Sequence, residues 1–459
     1  MMRALRVGLL VTGAALSAQG TPRAAVRTCV LEFDNTDTSR VNLTKLPSGQ
    51  YRSYFGAGVK GRCKGSDQRL VSDSAEHDGE SKVLLLIGNV HYTEARVKVD
   101  AARMTYYTAE ERLYAEGDVV AVTPAGTRLM GPSAEYLRAV PGMRTIPVLS
   151  SDKRPRVRLS PADAKNATDD APVDLVATRL RAEGDSLMYA SGDVVMARPD
   201  IEATADSAFL DNGREIARLM RTPVVRGIGA RKFELEGGVI DLYSRQRALQ
   251  RVVARGTARA KNDDLDLTAD TIDLRVTGDK LSRAIAWGAT PARAHSPARD
   301  ITADSIDIDM PGQRLRELHA VRHAAAETDA DSMKLKTTER DWLRGDTIVA
   351  RFDTTAAPSD SAGQPALREI VASGAARSFY QVASRVSRTA LPNINYVTGK
   401  GITVRFDSGE VRHVAVREQA NGVYLEATPD SVRADSAAAK PAARRAGNKR
   451  AVPKPGARP

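Results

Sequence analysis

The sequence predicts an all-β protein built from repeated antiparallel hairpin units, and three observations carry that prediction. One pattern is written twice, as LDLTADTIDLRV from Leu265 and as DITADSIDIDM from Asp300, with 34 residues between Ala269 and Ala303. Within each copy the apolar phase flips: Leu265, Leu267 and Ala269 alternate, and Ile272, Leu274 and Val276 then alternate on the other parity. Side chains of a strand change face at every residue, so a flip inside one run demands a bulge or corner at the Ala-Asp-Thr step. Finally, aromatic residues make up only 5% of the 459, which suits a thin, repetitive β structure better than one large globular core.

Further copies follow the same rule. FELEGGVIDL pivots on Gly237, IEATADSAFL on Ala205, VKVDAARMTY on Ala101, TRLMGPSAEY on Gly131 and WLRGDTIVARF on Gly345. Weaker copies pivot on Ser72, Gly184 and Gly399, and the segment around Gly184 can be read in two registers. A pivot that is always Gly, Ala or Ser fits a crowded corner with no room for a larger side chain. Between pivots lies a second motif, an apolar run into a glycine: VLLLIGNV at Gly88, LYAEGDVVAV at Gly117, LMYASGDVVMA at Gly192, VVARGTARA at Gly256, IAWGATPARA at Gly288 and IVASGAARSFY at Gly374. Pivots at 205, 237, 269 and 303 are 32 to 34 residues apart, enough for two strands and their turns.

This patterning divides the chain. Residues 1–20 read as a secretory signal, with Arg3 and Arg6 before an apolar run from Val7 to Ala18. Residues 21–149 hold an atypical N-terminal cap and a first block of hairpins. Residues 150–172, rich in Pro, Asp and Lys, read as a linker or long loop, and 173–428 form the second repeat block. Residues 429–459 are Ala, Pro, Lys and Arg without periodicity and are expected to be a disordered basic tail. The net charge of +11 is concentrated at the ends: seven basic and no acidic residues lie between Lys440 and Arg458, and Arg3 and Arg6 add two more. The repeats therefore carry no basic stripe, and nucleic-acid binding is not expected. Cys29 and Cys63, the only cysteines, have one possible partner each in an oxidising compartment; they either staple the N-terminal hairpin or remain two buried thiols.

Nothing in the sequence resembles a catalytic constellation: there is no Gly-x-Ser-x-Gly elbow, His-Glu-x-x-His pair or phosphate loop. The chain is expected to be a non-enzyme without cofactor or metal. His319 and His323 would lie about 13 Å apart along a strand, too far to share an ion. The Asp that follows the pivot, at 73, 185, 206, 270, 304 and 346, is too sparse for calcium repeats and is expected to accept backbone N–H groups freed at each corner. What remains is the apolar face, which must either close on a second sheet or accept an apolar ligand.

Units of the form apolar-x-Ala-Asp-x-apolar-x-apolar, answered by LYAEGDVVAV and VLLLIGNV, resemble the OstA-like (LptA-like) periplasmic proteins of lipopolysaccharide transport, over about Leu70 to Ala427. The resemblance implies an elongated β-jellyroll, folded like a taco, whose interior shelters the acyl chains of lipid A. On that reading the lipid-binding residues are Met104, Tyr106, Leu113, Val119, Phe233, Leu235, Ile240, Leu242, Leu267, Ile272, Leu274, Ile301, Ile306, Ile308, Ile348 and Phe352. The implied partners are lipopolysaccharide and either other jellyroll components or further copies of this chain, joined by edge-strand addition. The chain departs from the family in its greater length than the short bridge member, its basic tail and its lack of a C-terminal barrel pattern. The competing expectation is a structural or adhesive cell-surface β-repeat protein with a closed core and no lipid.

Overall fold

The computed structural model describes residues 30–34, 40–159, 172–199, 201–228, 233–246, 248–262, 265–278, 280–297, 299–330, 335, 337–353, 366–384, 391–407 and 410–426. The predicted signal, the basic tail and Cys29 lie outside the described residues. Those described are strands and connections, apart from 3-10 conformation at Arg40 and a 3-10 turn at Pro311–Gln313. The fold is all-β, as predicted, with consecutive strands pairing antiparallel. It comprises two compact units, Met1–Arg231 with Asp241–Ala248, and Lys232–Ile240 with Leu249–Pro459.

In the first unit the repeating element is a strand bent in the middle. Each half pairs with the matching half of its neighbours, so a stack of bent strands builds two walls from the same segments. One wall runs through Leu84↔Tyr106, Tyr106↔Leu113 and Leu113↔Tyr136, the other through Tyr92↔Val99, Val99↔Ala121 and Ala121↔Leu129. All of these side chains are buried. Alternation places them on one face of each wall, and the phase flip at the bend keeps both faces turned to the same interior.

The supposed linker is corrected by this pairing. Val148–Asp152 and Arg156–Leu159 bind opposite halves of Arg128–Leu137, and Arg156–Leu159 then pairs with Val173–Val176. Residues 150–159 thus continue the two walls, and the boundary between units falls instead within residues 231–249. A high density of Pro and charge marks an outward loop, but it does not reveal whether the flanking strands pair with each other. Likewise the cap extends one wall, with Tyr51–Phe55 pairing with Ser74–Asp78 and Val41–Lys45 pairing in turn with Tyr51–Phe55. Cys63 is disulfide-bonded, and Cys29 is the only other cysteine in the chain.

The corner has a specific construction. Between Arg255↔Thr271 and Ala258↔Ala269, Gly256 and Thr257 face Asp270 alone. The same two-against-one step sets Gly88 and Asn89 against Ala102, and Gly192 and Asp193 against Asp206. Both residues on the longer side are left-handed, with φ of 80° and 52° at Gly256 and Thr257. The extra residue therefore sits on the glycine-motif strand rather than at the Ala-Asp-Thr step, because the first of its two left-handed positions is one that glycine adopts freely. The corner Asp of one strand then lies over the glycine of the next: a Cβ on Gly88, Gly288 or Gly374 would collide with the carboxylate of Asp73, Asp270 or Asp346. The two sequence motifs are two sides of one contact. Gly184 belongs to neither, since it occupies the turn between Arg179–Glu183 and Leu187–Ala197 while Thr178 makes that corner against Gly192.

In the second unit the first wall runs through Val252↔Leu274↔Ala284↔Ile308↔Leu318↔Ala350↔Ile370↔Val404↔Val414. The second runs through Leu267↔Ala294↔Ile301↔Ala326↔Leu343↔Ser378↔Val397. Burial declines along the first row. Leu274, Ile308 and Ala350 are buried, Ile370 and Val404 are half-exposed, and Val414 is 40% exposed.

Candidate functional site: an apolar cavity with a polar rim

That decline marks a cavity of about 450 Å³ between the two walls of the second unit. Leu343 and Val397 line it from one wall, and Leu367, Ile370, Val404 and Phe406 from the other. Its volume falls in the range of small-molecule sites, roughly 300–1,000 Å³. Trp342 also lines it, with its ring stacked 6.0 Å from that of Phe379.

One row of the second wall makes the rim. Arg299 pairs with Thr328, Thr328 with Asp341, and Tyr380 with Asn395, and all five line the cavity. These are the residues nearest the hairpin ends, where a strand leaves the apolar interior. Asp341 accepts from the Gln381 backbone N–H at 3.0 Å and from its side-chain amide at 3.3 Å. Burial nevertheless pushes its carboxyl above the usual carboxylate range. Next to the rim, Asp300 accepts from Arg293, His295 and Arg340, each at 2.8 Å. Burial alone would raise this carboxyl, but these hydrogen bonds outweigh it and bring it down to about 2.

The residues singled out in the sequence lie elsewhere. Met104, Tyr106, Leu113 and Val119 in the first unit, with Leu242, are buried in packed interior, and so are Leu235, Ile240, Leu267, Ile272, Leu274, Ile306, Ile308 and Ile348 in the second. Phe233, Ile301 and Phe352 are half-exposed. None of the sixteen lines the cavity. Strong alternation selects the best-packed positions, whereas a cavity forms where packing lapses, which needs the register of many strands to locate. The lining of Trp342, Phe379 and Phe406 gathers aromatics in a chain with few, and that cluster is the signal that sequence reasoning missed.

A buried polar clasp ties the two walls of the first unit together. Tyr92 donates to Glu94 at 2.8 Å, Tyr136 donates to the same carboxylate, and Arg138 bonds Glu94 at 2.8 Å and Glu111 at 2.7 Å. Tyr106 donates to Glu111. Burial, then the neighbouring Glu94, raises the Tyr92 and Tyr136 hydroxyls above the usual tyrosine range, and burial with Glu111 does so for Tyr106, so all three remain donors. A cavity of about 470 Å³ near the N-terminal strands of this unit has Leu31, Phe33 and Phe55 beside His77 and Lys82. Burial, then Lys82, pulls the His77 imidazole below its usual value, leaving it neutral at pH 7.

Of the corner carboxylates, Asp270 takes the expected backbone-accepting role, whereas Asp206 and Asp304 bond side chains instead. Asp270 accepts from the backbone N–H groups of Ala289 and Thr290 and from the Thr290 hydroxyl at 2.6–3.0 Å, while Asp206 pairs with Arg221 and Asp304 with His323. His319 approaches a different carboxylate, Glu317, at 3.4 Å.

No protein-family model matches the chain, and no curated protein does. The reading of the site therefore rests on its own geometry.

Proposed function

We propose that this chain is an exported, non-enzymatic carrier of acyl-chain lipids that acts in lipopolysaccharide transport in the periplasm, and that the cavity of its second unit holds the acyl chain. The observation that carries the reading is the combination of an apolar interior and a polar rim in one cavity, the arrangement an amphiphile requires. A dozen methylenes moved from water into such a site gain roughly 10 kcal/mol, at about 0.8 kcal/mol each, so a lipid crosses an aqueous space far more readily when sheltered. Partners would join by strand addition at Asn421–Leu425, which pairs on one side with Asn393–Asp407 and exposes Val423, Tyr424 and Leu425.

The test is mass spectrometry of lipids extracted from the full-length protein purified from its own host, comparing wild type with Val397→Asp. Val397 is half-exposed on the cavity wall, so a carboxylate there is solvated and the fold is kept. Near-stoichiometric lipid A in wild type and its loss in the variant support the proposal; a lipid-free wild type sinks it. One feature favours the structural reading for the first unit alone: its clasp and its fully buried Leu84, Tyr92 and Tyr106 suit a scaffold with a dry core.

A further inference from the structure

Arg299 stands apart from the other cations around the cavity. It is the first residue of the strand Arg299–Asp309, is half-buried and lies on the same side of that strand as Ile301 and Ala303, facing the cavity it lines. Among the described residues its guanidinium makes no ion pair and no hydrogen bond, whereas Arg293 and Arg340 close by converge on Asp300. Asp341 does not neutralise it. Two strand spacings along the row separate them by about 10 Å, and Asp341 is held by Gln381. Burial pulls the guanidinium below the ordinary arginine range, the expected result of removing a charge from water without giving it a partner.

Leaving such a group uncompensated is costly, and a Gln or Leu at this position would remove the cost. An arriving anion would remove it as well. A guanidinium presents a planar fork of donors that matches the paired oxygens of a phosphate or carboxylate. Below it lie Leu343, Val397 and Ile370, which suit a hydrocarbon chain.

We infer that Arg299 is the headgroup-binding residue of this cavity, and that the ligand is an amphiphile whose acyl or alkyl chain ends in an anionic oxyacid group, a phosphate or a carboxylate. This inference rests on the cavity being an acyl-chain site. The chain enters between the two walls and the anionic group stops at the rim beside Thr328.

The test uses the full-length protein in a Trp287→Phe background, so that Trp342 at the cavity wall is the only tryptophan and reports binding by its fluorescence. Dodecyl phosphate, laurate and the neutral monolaurin are titrated below their micellar concentrations into protein with Arg299 or with Arg299→Gln. Both anionic probes bind the Arg299 protein tenfold or more tighter than monolaurin. Arg299→Gln weakens them about tenfold to a hundredfold, as for one hydrogen bond to a charged group, and leaves monolaurin unchanged. Its melting temperature without ligand stays level or rises, because no partner is orphaned. Preference for dodecyl phosphate assigns a lipid phosphate, and preference for laurate a free fatty acid. Equal affinity for all three probes, or a preference that survives Arg299→Gln, overturns the headgroup assignment while leaving the cavity reading intact. Failure of every probe to bind overturns the cavity reading itself.

Discussion

Three alanine substitutions in the second unit separate the two reasons a corner needs glycine. Gly278, in the turn between Asp266–Thr277 and Lys280–Ser296, has φ of 55° and nothing within 4 Å of an added Cβ. Gly278→Ala therefore measures the left-handed backbone alone, about 1–2 kcal/mol. Gly288 does not have a positive φ, but an added Cβ there would overlap the Asp270 carboxylate. Displacing that carboxylate gives up its bonds to Ala289 and Thr290, so Gly288→Ala reports the steric conflict with no backbone contribution. Gly374 combines both, with φ of 77° and Asp346 in the way, so Gly374→Ala should cost more than Gly278→Ala and more than Gly288→Ala. Urea unfolding followed by far-ultraviolet circular dichroism gives each difference. If Gly374→Ala proves no worse than Gly278→Ala, the carboxylate does not pack on the glycine, and the account of the paired motifs is wrong.

Two further outcomes follow from the charged groups. Arg138→Met leaves Glu94 and Glu111 buried without their cation, so thermal unfolding should show a loss of about 3–5 kcal/mol, and a change under 1 kcal/mol would deny that the clasp holds the walls together. Asp174 is held at about 2 by hydrogen bonds from Arg158 and then Arg156. A carboxyl lowered on folding contributes stability that is present above its unfolded value of 3.8 and is lost as pH falls towards 2. Wild type should thus lose stability relative to Asp174→Asn between about pH 4 and pH 2, measured by melting at each pH, and parallel curves for the two proteins would contradict the assignment.

What the sequence by itself determined is local and periodic. The phase flip at Ala269 and Ala303 predicted a bent strand, the small pivots predicted crowding, and the recurrence predicted consecutive hairpins, because alternation and steric room at a bend are properties of a dozen neighbouring residues. Tertiary structure decided the rest. That Gly256 and Thr257 carry the extra residue became legible only from the register with Asp270, since a bulge belongs to a pair of strands. The strand role of residues 150–159 depended on partners both earlier and later in the chain, Arg128–Leu137 and Val173–Val176. The cavity depended on the most distant information of all. Ile308 and Val404 occupy the same cross-strand row of the first wall, yet Ile308 is sealed and Val404 is half-exposed. The difference lies in what the facing wall brings to meet each of them, and no periodicity within a strand encodes that.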